Sequence, residues 1–166
     1  MKKQKEPKSR KQLVAEFIAL ATYGVYALLF SWLLEAELLE VTDSLKQWVW
    51  IHGIYGFLKY GPLFPICAKI VDKTKSKIGG TPDYWFRWNL ANGIGLSLFQ
   101  MPIYMFSTSA VFVFMGLFWS KIESVLVACF VYTAENLCFG WIYGLFRKEL
   151  CWRIAQVKID NDGNKK

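Results

Sequence analysis

The sequence predicts an all-α, polytopic membrane protein with four transmembrane helices. Over its 166 residues the chain is 54% hydrophobic, which is too apolar for a soluble fold of this length. Residues 88–120 contain no charged side chain, and an uncharged run longer than about 18–20 residues is typical of a helix that crosses a membrane. The Lys and Arg residues, in contrast, are concentrated in the segments that flank the apolar runs.

Four apolar segments follow a basic tail at residues 1–12 and define a predicted transmembrane domain over residues 13–155. The first segment has no cleavage site at a suitable position, so it is predicted to be a retained helix and not a signal peptide. Residues 156–166 are polar and form a predicted C-terminal tail. The four predicted helices span about 13–36, 48–68, 88–117 and 122–147.

The distribution of basic residues predicts the topology. The tail, the loop at 69–87 and the C-terminal part contain six, five and six Lys or Arg residues, whereas the two predicted outer loops contain only Lys46 and Lys121. By the positive-inside rule, both termini are cytoplasmic and the acidic segment at 35–43 lies outside. The formal net charge of +7 therefore indicates topology and contact with anionic lipid, and not nucleic-acid binding.

Two short sequence patterns recur and predict two hairpins of the same orientation. Residues 13–16 resemble residues 89–92 at the start of the first and third helices, and residues 54–59 resemble residues 142–147. Parallel repeats are related by an axis along the membrane normal, and transporters bind substrate between such repeats. The fold is thus predicted to consist of two parallel-repeat hairpins.

Lys59, Gln100 and Glu135 fall near the middle of three predicted spans. An unpaired ionisable group at that depth costs about 2.5–3.5 kcal/mol. One interpretation is a structural Lys59/Glu135 ion pair, and the other is that Glu135 exchanges a proton or binds an ammonium group. Gln100 and Tyr104 lie one helical turn apart with Pro102 between them, and they can either bind a small zwitterion or pack between helices.

Glu16 and Asn92 occupy matching positions near the inner ends of the first and third helices. Glu16 is either an acid favoured by the helix dipole or a substrate-binding residue. Gly140 and Gly144 form a Gly-x-x-x-Gly pattern, which allows close packing either within the bundle or between copies of the chain. The predicted substrate or proton pathway comprises Glu16, Lys59, Asn92, Gln100, Pro102, Tyr104 and Glu135.

The cysteine and histidine content predicts no metal site. The four cysteines form no Cys-x-x-Cys pattern, and the single histidine, His52, is interpreted as an interfacial polar residue. A membrane enzyme acting on lipid would require clustered carboxylates, histidines or serines at one interface, and Glu16 and Asp83 alone do not provide them. The sequence therefore predicts a protein that is not an enzyme.

Residues 89–92 and 99–104 resemble the bacterial L-alanine exporter family, and the Phe-Gln-x-Pro-x-Tyr segment at 99–104 is the most specific part of this resemblance. Residues 14–16, Tyr23 and the region 140–153 agree with it. The resemblance implies a small inner-membrane protein of four helices that exports L-alanine, uses the proton gradient and needs no cofactor.

We therefore predict a multi-pass protein of the bacterial inner membrane that effluxes L-alanine or a similar small neutral amino acid by antiport with protons, as a homo-oligomer. The family pattern is acidic at the position of Asn92, so either Glu135 carries the proton in its place or the substrate differs from alanine. The alternative is a non-transporting four-helix membrane subunit that scaffolds a larger complex.

Overall fold

The computed structural model describes residues 9–33, 35, 41–78 and 85–156. Over these ranges the chain forms helices and no strand, so the predicted all-α class is confirmed. The helices are α1 (Arg10–Trp32), α2 (Leu45–Tyr60), α3 (Phe64–Ile78), α4 (Trp85–Phe114) and α5 (Phe118–Ala155).

Three of these helices are long and apolar enough to cross a membrane, namely α1, α4 and α5, over Arg10–Trp32, Phe86–Phe114 and Phe118–Ala155. Large apolar side chains remain exposed on the outer surfaces of α4 and α5. Phe114 is 91% exposed and Phe130 is 75% exposed. An apolar surface of this kind is unfavourable in water but is well solvated by lipid tails, so it supports a membrane-embedded protein.

The second predicted helix, at 48–68, is interrupted by Pro62 and Pro65 in the sequence, and in the structure it is divided there into α2 and α3. The chain turns at Gly61, whose backbone dihedrals of −98° and −111° are not helical. Pro62 has no amide hydrogen to continue the helix, while Pro65 lies in the first turn of α3, where that hydrogen has no helical partner. Residues 69–78, which the sequence predicts as part of an inner loop, are helical in the structure.

The long helix α4 lies at the centre of the bundle, between α5 on one side and the α2–α3 pair on the other. Its first half packs against α3, since a Cβ atom on Gly95 would lie 2.9 Å from Val71 Cα. Its second half packs against α2, and the ring centroids of Tyr55 and Tyr104 are 6.3 Å apart. The break between α2 and α3 is therefore level with the middle of α4.

Glycines bring the backbones of α4 and α5 into direct contact. A Cβ atom on Gly140 would lie 2.5 Å from Gly93 N, and one on Gly93 would lie 2.3 Å from Asn136 O. A Cβ atom on Gly144 would lie 2.6 Å from Asn92 Nδ2. Within one chain, α4 therefore occupies the Gly-x-x-x-Gly surface, and homo-oligomerisation stays a prediction.

Replacing Gly140 by alanine is expected to destabilise the protein by about 1–3 kcal/mol, because the new methyl group would push α4 and α5 apart. Gly53→Ala is the matched control, since nothing lies within 4 Å of a Cβ atom at Gly53. That change should be neutral or stabilising, because alanine favours helix over glycine by about 1 kcal/mol. Unfolding of both variants in the same detergent measures the difference, and equal stabilities would contradict the close approach of the two helices.

Candidate functional site

A pocket lies between α1, α2, α4 and α5, and its empty volume is about 580 Å³. This volume includes space that is open to the outside of the bundle. The wall is largely aromatic and aliphatic, and the polar side chains stand at separate points on it. These polar lining residues include Ser31, His52, Lys59, Gln100, Glu135 and Asn136.

Four of the residues predicted for the substrate or proton pathway line this pocket: Lys59 from α2, Gln100 and Tyr104 from α4, and Glu135 from α5. They are separated by as much as half the sequence, and helix packing brings them together. The structure thus places the polar groups of three helices around one cavity.

Lys59 is only 1% exposed, and its ammonium group lies over two aromatic rings. The Nζ atom is 5.1 Å from the ring centroids of Tyr55 and of Tyr60, which is the range of cation–π interactions. Within the described part of the chain, Lys59 and Glu135 form no direct ion pair. Opposite charges on α2 and α5 therefore border the pocket without neutralising each other by contact.

Several buried polar atoms around the pocket have no hydrogen-bond partner within the described ranges. They are His52 Nδ1, Gln100 Nε2, Tyr104 Oη and Glu135 Oε1. Each buried polar atom without a partner costs about 1–3 kcal/mol. Because several such atoms surround one cavity, we expect a polar ligand or water in the pocket to form hydrogen bonds with them.

At the end of the pocket where α1 ends and α2 begins, His52 and Tyr132 both contact Glu35. His52 Nε2 is 3.1 Å from each carboxylate oxygen of Glu35, and Tyr132 Oη donates to Glu35 Oε1 at 2.6 Å. Glu35 is fully buried. Two side chains from other helices therefore solvate the Glu35 carboxylate inside the bundle.

At the opposite end of the bundle, Arg147 bridges two carboxylates. Its Nη2 atom is 2.8 Å from Glu16 Oε1, and its Nη1 atom is 2.7 Å from Asp72 Oδ1. All three side chains are buried, and they connect α5 to α1 and α3. Nearby, burial and the positive charge of Arg147 lower the pKa of Lys75 to about 7, and Lys75 Nζ lies 5.4 Å from the Trp88 ring. This end of the bundle is held by buried charges.

Three predicted pathway residues lie away from the pocket. Glu16 belongs to the Arg147 network at the opposite end of the bundle. Asn92 is buried beside Gly144, and its Nδ2 atom donates to the backbone oxygen of Trp88 at 2.9 Å. Pro102 is on the exposed side of α4.

Comparisons with protein-family models, with curated proteins and with solved structures found no match. The chemistry of the pocket is therefore the basis for a functional assignment. Across residues 9–33, 35, 41–78 and 85–156, no group of three or more His, Cys, Asp or Glu side chains is arranged to hold a metal ion. The cysteines, at 67, 129, 138 and 151, form no disulfide bond in the described part of the chain.

Proposed function

We propose that this protein is a secondary exporter of a small neutral amino acid, with L-alanine as its first substrate, driven by the proton gradient across a bacterial inner membrane. The observation that carries the proposal is the pocket, which is bordered by an ammonium group, a carboxylate and unpartnered polar atoms from three helices. The resemblance to the L-alanine exporter family supplies the choice of alanine.

An amino acid zwitterion is complementary to these groups. Its ammonium group can donate to Glu135 Oε1, which lacks a partner within the described residues. Its carboxylate can accept from Lys59 and from Gln100 Nε2, both of which border the same cavity. A ligand that carries both charges would satisfy the two walls together, whereas a singly charged ligand would leave one charge buried and unpaired.

The broken α2–α3 segment supports transport over simple anchoring. At 16 residues, α2 is about 24 Å long, which is shorter than the hydrocarbon core of about 30 Å. We propose that α2 and the first turns of α3 form the fourth crossing, with the Arg147 network at the cytoplasmic end. Discontinuous helices near the midplane are a recurring feature of substrate sites in secondary transporters.

The alternative function, a scaffolding subunit of a larger membrane complex, explains the number of exposed aromatic side chains. It gives no role to a cavity bordered by Lys59 and Glu135, whose burial is costly unless a ligand or ion uses them. We therefore favour transport and treat scaffolding as the outcome that a negative transport experiment would support.

A dipeptide challenge tests the proposal directly. Cells without their own alanine exporter are fed an alanyl dipeptide, which peptidases convert to alanine, and the intracellular alanine pool is measured with and without this chain. We expect the chain to lower the pool several-fold, and Lys59→Gln to remove that effect because the substrate carboxylate loses its cationic partner.

The control variant is Lys46→Gln, which removes a positive charge from an exposed position on the same helix. It should export as well as the unmodified chain. An unchanged alanine pool in cells that hold the folded chain in their membrane would reject alanine export and favour the scaffolding role.

A further inference from the structure

His52 offers a proton acceptor to the pocket. Because carboxylate oxygens only accept, the contact with both Glu35 oxygens assigns the ring hydrogen to His52 Nε2. In neutral imidazole the other nitrogen, Nδ1, then carries a lone pair. That atom is buried without a partner among the described residues, in a side chain that is only 9% exposed. The geometry leaves one place on His52 for an additional proton.

The surroundings of His52 suit an imidazolium ion. The Trp48 ring centroid is 4.5 Å from that of His52, and the rings of Tyr55 and Tyr104 follow at 6.0 and 6.3 Å. An aromatic face attracts a cation within about 6 Å of its centroid, most strongly that of tryptophan, and the Trp48 ring lies within that distance. The Trp48 ring and the Glu35 carboxylate therefore both stabilise a positive charge on the imidazole.

We propose that His52, Glu35 and Tyr132 form a proton-binding site at this end of the pocket, separate from the groups that hold the substrate, and that its proton drives export. This inference rests on the proposed function. One proton binds at Nδ1 and later leaves from the same atom, and no other bond forms or breaks. Glu135 is then the ammonium-binding residue and does not carry the proton.

Adding one proton changes the site from a net charge of −1 to zero, because neutral His52 beside ionised Glu35 becomes a complete ion pair. Other titratable groups also face Glu35 and His52. They are Tyr55 and Lys59 from α2, Tyr104 from α4, and Cys129, Tyr132 and Glu135 from α5. Since only Lys59 among them is cationic, an added positive charge at His52 is opposed by one neighbour and favoured by two carboxylates.

The site can couple to the substrate because His52 and Tyr132 line the pocket themselves. Glu35 holds both of them, so a change in its charge balance acts on α2 and α5 together. His52 and Lys59 lie seven residues, or about two turns, apart on α2, so a proton at Nδ1 adds a second positive charge to the same wall of the pocket. Proton binding and substrate binding are therefore coupled through the charge of this wall.

The single histidine makes the proton site directly observable. Labelled His52 gives one set of imidazole resonances in detergent micelles, and these distinguish imidazolium from either neutral tautomer. We expect one protonation step as the pH is changed, and a different step in Glu35→Gln. No response to pH, or identical steps in the two proteins, would overturn the proton site whether or not alanine is the substrate.

Liposomes containing the purified chain test the coupling. In His52→Gln, alanine transport driven by a pH gradient should fall at least about 10-fold, while alanine–alanine exchange at equal pH should stay within about two-fold. Asp43→Asn is the control, because Asp43 is a carboxylate that pairs with Lys121 outside the pocket and should leave both activities unchanged.

The two failures are distinguishable. If the unmodified chain exchanges no alanine, the proposed substrate is wrong, and the resonances of His52 still decide whether the proton site exists. If the unmodified chain exchanges alanine and His52→Gln still responds fully to the pH gradient, the proton is carried elsewhere and the inference is wrong.

Discussion

Replacing Glu135 by glutamine is expected to reduce the apparent affinity for alanine by about 10- to 100-fold. The substrate ammonium group would lose a charged acceptor inside a buried pocket, and hydrogen bonds to charged groups contribute about 1.5–3 kcal/mol. The glutamine side chain keeps the size of the original, so the pocket should retain its shape. The measurement is the concentration dependence of alanine exchange in liposomes at equal pH.

Glu123→Gln provides the control, since it removes an exposed carboxylate from the same helix, α5. A different result is expected if Glu135 has a purely structural role. In that case Glu135→Gln would lower the unfolding temperature while each folded molecule kept its exchange rate. That pattern would reject Glu135 as a substrate-binding residue.

Replacing Arg147 by methionine is expected to destabilise the protein by about 3–5 kcal/mol, because it leaves the buried carboxylates of Glu16 and Asp72 without their shared cation. Unfolding in detergent measures the loss. A triple variant that also carries Glu16→Gln and Asp72→Asn should recover much of the stability, since no unpaired charge is then buried.

Arg153→Met is the matched control on the same helix. The Arg153 side chain is 72% exposed and its partner Glu149 is 57% exposed, so the pair contributes little and its loss should be within about 0.5 kcal/mol. Equal stabilities for Arg147→Met and Arg153→Met would show that the buried network does not hold α1, α3 and α5 together.

The convergence of Lys59, Gln100 and Glu135 on one pocket is a result that hydropathy could anticipate. Each residue interrupts an apolar run near its midpoint, and polar groups at that depth are stable only where they face other helices or a cavity. The position along each span thus gives the depth of these groups. Depth alone does not give the direction in which a side chain points around its helix.

The Glu35 and Arg147 clusters at the two ends of the bundle could not be predicted without knowing how each helix is rotated. Tyr132 is 97 residues away from Glu35 in sequence, and Arg147 is 131 residues away from Glu16. No local pattern joins such pairs, since their contact depends on which helices are neighbours and how each is rotated. The sequence offers one weak indication for Glu35, which directly follows the apolar run of the first predicted helix. An acid at such a position need not be exposed to solvent.

The sequence predicts helix boundaries least well where a segment rich in charged residues is nevertheless helical. The basic residues at 69–77 resemble a loop in composition, yet α3 forms because Cys67 and Val71 are buried on one side while Lys69 and Lys73 are exposed on the other. An amphipathic helix of this kind is stabilised by packing, so it is compatible with a high density of lysine.

The length of α5 has a consequence for the shape of the protein outside the lipid. With 38 residues it extends for about 57 Å, almost twice the thickness of a hydrocarbon core of about 30 Å. Its last turns must therefore rise into the headgroups and the aqueous phase. Cys151 on these turns is fully buried against Ala15. The part of α5 that extends beyond the lipid is therefore packed against α1 and held in a fixed position.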